Sequence, residues 1–135
     1  MIVTISASSK NEITERLQVP EDKIQVVYGA CGEGFAPVEK TRRAQLSKYG
    51  ITGNFILYVA SSRPYKNIDG LIKAFKLLKD RYHVGHTLVI TGLAGKAQPA
   101  LTKLIRELGI QKDVLFSGFV HEEDLPILYA AADVF

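Results

Sequence analysis

Two cations and two hydroxyls stand together in Ser61-Ser62-Arg63-Pro64-Tyr65-Lys66-Asn67, between the apolar run Phe55–Ala60 and a helical-period stretch that begins at Ile68. Lys66 and Arg63 at that spacing could hold an anion. The N-terminus of a helix offers free N–H groups and a partial positive charge, and phosphate suits such a place. Asn67 is of a type that caps a helix with its side chain. The same residues also suit a solvated turn, and position alone leaves both readings open. Gly92–Ala97 (GLAGKA) faintly resembles a phosphate loop, but it lacks the full glycine spacing. It also carries Ala97 where Ser or Thr would hold magnesium, so it reads as a tight turn. In Ser117–Asp124 (SGFVHEED), Gly118 permits close backbone approach. Glu122, Glu123 and Asp124 there suit the first turn of the following helix. His83 and His86 lack further ligands nearby and do not suggest a metal site. His121 reads as a surface histidine and Cys31 as a small packing residue. Asp113 and Asp133 show no carboxylate partner for acid–base work.

The elements that must position these residues alternate strand with helix, which predicts a parallel sheet. Ile2–Ser6 reads as a strand and KNEITERL as a helix, with Ser9 and Glu12 spaced as a capping box. Ile24–Tyr28 is the next strand. The glycine-rich Gly29–Gly34 and the stretch FAPVEK read as a hinge or linker, followed by a short helix over Arg42–Tyr49. Three strand–helix units come next. Phe55–Ala60 feeds a helix with Ile68, Leu71, Ile72, Phe75 and Leu78 at helical spacing. Thr87–Thr91 feeds one with Leu101, Leu104, Ile105 and Leu108, closed by Gly109. Val114–Gly118 feeds one with Leu125, Leu128, Tyr129 and Ala132. Another strand begins near Asp133-Val134-Phe135. In a doubly wound sheet, ligands sit beyond the carboxyl ends of the strands, at the point where strand order reverses.

Composition excludes several classes. The 135 residues are about one domain's worth, 47% apolar and 23% charged, as in ordinary globular proteins. The net charge is only +3 and the 17 Lys and Arg are scattered, so no nucleic-acid tail is present. A single cysteine excludes an internal disulfide framework. Neither a transmembrane segment nor a signal peptide is visible, which predicts a cytoplasmic chain. Strand ends at Ala60, Thr91-Gly92 and Ser117-Gly118 lack the acids of a receiver domain. They also lack the G-x-G-x-x-G of a nicotinamide dehydrogenase.

Read together, the residues resemble the retaining glycosyltransferases of family 4, whose GT-B fold has two Rossmann domains. SASSKNEITERLQVPEDKIQVVYGACGEGF is similar to the end of that family's N-terminal domain. ILYVASSRPYKNIDGLIKAF, LVITG and VLFSGFVHEEDLPILYAAADVF follow in the family's order and register. The resemblance implies a parallel-sheet, Rossmann-like α/β fragment of a GT-B enzyme. Residues 1–35 would end the acceptor domain, 36–54 form the hinge and linker helix, and 55–135 form the first half of the donor domain.

By the same resemblance, Lys66 holds the donor diphosphate, with Arg63 and Ser61. Ala60 and Ser61 stand where the family has glycine and arginine, and Arg63 takes over that arginine's role. Gly92, Gly118, Phe119 and Val120 lie near the nucleoside. Gly29, Ala30, Cys31 and Gly32 replace the family's Asn-Gly-Val-Asp at the hinge, so a polar contact there is lost. No catalytic residue falls within the chain, because the family's E-x7-E motif lies beyond Phe135. The implied reaction moves a sugar from a nucleotide-diphospho-sugar to a glycan or lipid-linked acceptor hydroxyl in surface polysaccharide or glycan synthesis. It needs no cofactor or obligatory metal, and the isolated fragment would be inactive. The longer protein would be cytoplasmic, peripheral at a membrane. Phe55–Ala60 would leave an unpaired sheet edge open to self-association. The alternative is a non-catalytic Rossmann-like binding or interaction module.

Overall fold

The computed structural model describes residues 1–32, 34–35, 40–59, 63–92 and 99–135. Two compact units divide the chain, Met1–Phe35 and Ala36–Phe135. The first contains β1 (Ile2–Thr4), α1 (Ala7–Leu17), a 3₁₀ turn (Glu21–Lys23) and β2 (Ile24–Val26). β1 and β2 pair in parallel, with Ile2 opposite Ile24 and Thr4 opposite Val26. Parallel neighbours need a crossover, and α1 supplies it. Ser6, in extended backbone two residues after β1, caps α1 by accepting the Ser9 N–H at 3.0 Å. The cap therefore falls three residues before the expected Ser9–Glu12 box, and Ser9 becomes a first-turn residue. Both strands are shorter than expected, although Val27 N–H still donates to the Thr4 carbonyl at 2.8 Å. Cys31, expected to pack, is exposed. It lies in an open stretch, since added side chains at Gly29 and Gly32 would meet nothing within 4 Å.

The first described element of the second unit is a helical segment of the 3₁₀ type, Lys40–Tyr49, where a short helix over Arg42–Tyr49 is expected. Residues three apart eclipse in a 3₁₀ helix. Leu46, fully buried, and Tyr49 thus share one face and pack on the same apolar cluster. Gly50, at φ +79°, ends the segment in the left-handed region that glycine enters without penalty. Then come β3 (Phe55–Val59), α2 (Ile68–Tyr82), β4 (Thr87–Thr91), α3 (Pro99–Glu107), β5 (Val114–Gly118), a 3₁₀ turn (Glu122–Asp124) and α4 (Leu125–Ala131). The strands form a parallel sheet in the order β3-β4-β5. β4 is central and buried on both faces, the usual state of a strand between two helical layers. Leu88 and Ile90 pack with Ile68, Ile72 and Phe75 of α2 and with Leu101 and Ile105 of α3. Val89, Phe55 and Leu57 face the other way, onto Leu46, Ile51, Val120, Ile127 and Leu128. The two-residue period of the strands thus divides one apolar set between two cores.

α3 ends in a Schellman motif. Gly109 has φ +70°, Ile110 N–H donates to the Ile105 carbonyl, and Gly109 N–H donates to the Arg106 carbonyl. Beyond α4, the chain returns to the free side of β3. Leu57 N–H donates to the Val134 carbonyl at 2.8 Å and Asp133 N–H donates to the Phe55 carbonyl at 3.0 Å, a parallel pairing. The edge expected to be unpaired over Phe55–Ala60 is therefore covered along its first half. Asp133 reinforces it by accepting the Phe55 N–H on its side chain at 3.0 Å.

Candidate functional site

Strand order reverses at β3, with β4 and β5 on one side and Asp133–Val134 on the other. The crevice above such a reversal is where open α/β sheets take ligands. The turn carrying Arg63 and Lys66 leaves β3 at that end. Its 3₁₀ turn, Pro64–Lys66, closes with Lys66 N–H donating to the Arg63 carbonyl at 3.0 Å. The Tyr58 hydroxyl donates to the Lys66 carbonyl at 2.7 Å and so ties the turn to the strand below it. Lys66 is half-buried and Arg63 exposed. The Lys66 ammonium lies 5.7 Å from the Tyr65 ring centre, within cation–π range. Neither cation makes an ion pair among the described residues, whereas Lys48, Lys73, Lys76, Lys79 and Lys103 each sit against a carboxylate. Ser61, the third predicted diphosphate contact, lies outside the described residues, as do Ala60 and Leu93–Ala97 of the GLAGKA turn.

The start of α2 differs from expectation. Asn67 is the N-cap residue but has φ +48°, in the left-handed region, and its side chain makes no capping hydrogen bond. Its carboxamide lies instead over Gly70, where an added Cβ would come within 2.6 Å of it. Asp69 takes up part of the helix's positive end. The Lys73 ammonium at 3.2 Å, and after it the Gly70 N–H, hold the Asp69 carboxyl below the usual range. The helix end thus arrives partly neutralised, and the free cations are those of the turn before it.

The nucleoside candidates cluster on the neighbouring strands. Gly92 (φ +84°) donates its N–H to the Gly118 carbonyl at 3.0 Å, and the buried Thr91 hydroxyl donates to the same oxygen at 3.0 Å. Gly118, at φ +71°, has open space where a Cβ would stand. Phe119 is 72% exposed and Val120 only 5%, so the first side chain faces outward and the second belongs to the core. His121 is exposed as expected, its ring edge-on to Phe119 with centres 5.6 Å apart.

Asp124 stands at the start of α4, where the three acids are expected, but its side chain is directed elsewhere. It is 4% exposed and makes no side-chain cap. Its Oδ2 instead accepts the Tyr49 hydroxyl at 2.6 Å and lies 2.7 Å from the Lys48 ammonium. Lys48, then Tyr49, hold the Asp124 carboxyl below its ordinary range, while the Asp124 hydrogen bond raises Lys48. Burial first, and then the bond to Asp124, raise Tyr49. Asp113 and Asp133, read as lacking a carboxylate partner, pair with cations instead. Asp113 meets Lys79, and Asp133 lies 4.0 Å from Arg43 and 3.6 Å from His86 Nε2, at the opposite end of the sheet from the site.

At the site's end of the sheet, Arg63 and Lys66 follow β3 without an ion pair among the described residues, Gly92 follows β4 and Gly118 ends β5, an arrangement that can take an anionic ligand. The family model for glycosyl transferases group 1 matches residues 40–135, and the chain belongs to that family. The chain is 31% identical over 137 residues to the O-antigen chain mannosyltransferase B of Escherichia coli, covering 100% of this chain and 36% of that protein. An uncharacterized glycosyltransferase of Methanocaldococcus jannaschii is 30% identical over 138 residues, covering 98% of this chain and 35% of that protein. Among solved structures, HepE of Anabaena in complex with UDP-glucose superposes with a TM-score of 0.78 at 21% identity, covering 98% of this chain and 36% of that one. The chain thus spans about a third of the length of these relatives. The expected α/β parallel-sheet fold, that of a GT-B glycosyltransferase segment, is shared with the matching structure. No helix among the described residues is long and apolar enough to cross a membrane.

Proposed function

We propose that this chain carries the first half of the donor site of a retaining, family 4 glycosyltransferase. The enzyme moves a hexosyl group from a nucleotide-diphospho-sugar to an acceptor hydroxyl. Residues 1–35 then end the acceptor domain, 36–54 serve as hinge, and 55–135 begin the donor domain. The reversal of strand order at β3, with Lys66 in the turn above it, carries this reading. Lys66 works as a point charge on the diphosphate, and Arg63 offers a fork of donors in place of an arginine at Ser61. As the sugar leaves, charge grows on the diphosphate, and fixed cations stabilise it there. Gly92 and Gly118 let the nucleoside approach the backbone beside Phe119, with Val120 anchoring that segment in the core. The relative named as an O-antigen mannosyltransferase makes activated mannose the first donor to try, with a surface glycan or its lipid carrier as acceptor. Pairing with a second copy is left to the part of β3 beyond Leu57.

Binding by this chain, without turnover, is the expected behaviour. Charge-assisted hydrogen bonds contribute about 1.5–3 kcal/mol each, so Lys66→Ala should weaken UDP or GDP binding by roughly tenfold to a hundredfold. Arg63→Ala should match it if Arg63 has replaced the arginine absent at Ser61. Titration by NMR or calorimetry decides. Unchanged binding in Lys66→Ala returns the turn to mere solvation, and a parent chain that ignores both nucleotides supports the non-catalytic module.

A further inference from the structure

We infer that Tyr49 and Asp124 are positioning residues for the segment Gly118–His121, against which the donor's nucleoside rests; this builds on the donor-site reading. The segment is anchored at both ends. At its start, the Gly118 carbonyl is held by Gly92 N–H and the Thr91 hydroxyl. At its end, His121 N–H donates to the Tyr49 hydroxyl at 3.2 Å. That hydroxyl can accept there because its own proton is committed to Asp124 at 2.6 Å. A phenol has one O–H donor and acceptor lone pairs, so the two bonds are complementary. Between the anchors, Val120 plugs into the core and Phe119 is presented outward.

The chain of contacts then runs from Asp124 through Tyr49 to the His121 backbone, and from the His121 ring to the Phe119 ring. Asp124 keeps its charge while buried because Lys48 neutralises it. A carboxylate fixed by both partners has little freedom to turn, and it fixes the phenol in turn. Fixing the phenol fixes the backbone beside Phe119, whose ring is exposed at the β5 end. The long sequence separation has a consequence as well. Tyr49 belongs to the 3₁₀ segment before β3, so that segment helps set the nucleoside edge without touching a nucleotide.

Tyr49→Phe keeps the ring and removes both bonds, and Asp124→Asn keeps an acceptor but removes the charge. Each should be titrated with UDP, GDP and inorganic pyrophosphate alongside Lys66→Ala. Loss of the Tyr49 bonds should weaken the nucleotides by about twofold to tenfold, the scale of one ordinary hydrogen bond, and leave pyrophosphate unchanged. Lys66→Ala should weaken all three. The His121 amide should exchange faster in Tyr49→Phe without ligand. Equal losses on pyrophosphate and nucleotides in Tyr49→Phe would reduce the pair to general scaffolding, and unaltered nucleotide binding would overturn the inference. A parent that binds neither nucleotide ends the donor-site reading, and the inference with it.

Discussion

Asp124 is where charge and burial meet in this chain, and it shows what a local pattern can conceal. Three acids before a helix satisfy its N-terminal preference, and nothing nearby separates the third from the first two. What singles out Asp124 is Lys48 and Tyr49, some 75 residues away, which only the fold brings to it. Lys66 was legible for the opposite reason, since its place after a strand and before a helix is a local fact. The pH dependence follows from the direction of the shift. Asp124's folded pKa lies below that of an unfolded aspartate, about 3.9. Its contribution is therefore fully present above that value and is lost as pH falls through the folded pKa. Asp124→Asn should lose less stability than the parent between about pH 5 and pH 3. Asp69 is also shifted down, but it is common to both proteins, so the difference isolates Asp124. Urea midpoints at each pH measure it, and parallel acid limbs in the two proteins would show that Asp124 is not held ionised.

At the scale of the element, the strand–helix alternation and the apolar face of α2 were legible because both are periodic. Ile68, Ile72 and Phe75 are buried as their spacing required. The cap of α2 was not legible. Asn67 belongs to a residue type that serves both as a side-chain cap and as a left-handed residue, and sequence does not say which. The fold selects the second, and Gly70 provides the room for it. A glycine in a helix ordinarily costs about 0.5–1 kcal/mol relative to alanine. Gly70→Ala should therefore gain little in the parent, because the new methyl displaces the Asn67 carboxamide. In an Asn67→Gly background, which keeps the left-handed backbone but removes the carboxamide, the same change should recover a gain of about 0.5–1 kcal/mol. Denaturant melts of the four proteins form a double-mutant cycle. Additive effects would mean that the Asn67 side chain does not occupy that space.

At the scale of the whole molecule, the two units differ in what they bury. Among the described residues of Met1–Phe35, only Thr4 and Ile24 are buried, no residue of α1 is buried, and each strand has three residues. Two strands with a helix and so small a core are marginal in water. In Ala36–Phe135, β4 lies between two strands and two apolar clusters. Protection against hydrogen exchange follows buried contacts and cooperative units rather than strand labels. The amides of Leu88–Ile90 should therefore exchange only through global opening of their unit. The β1–β2 amides should exchange through local opening, orders of magnitude faster, and with little sensitivity to denaturant. The β3 amides test the returning strand. Leu57 N–H, bonded to the Val134 carbonyl, should be protected nearly as well as β4, and deleting Val134 and Phe135 should expose it selectively. Exchange at Leu57 that ignores the deletion would place its protection elsewhere and remove the strand-order reversal on which the donor-site reading depends. Equal protection in the two units would show that residues 1–35 draw stability from contacts beyond their own small core.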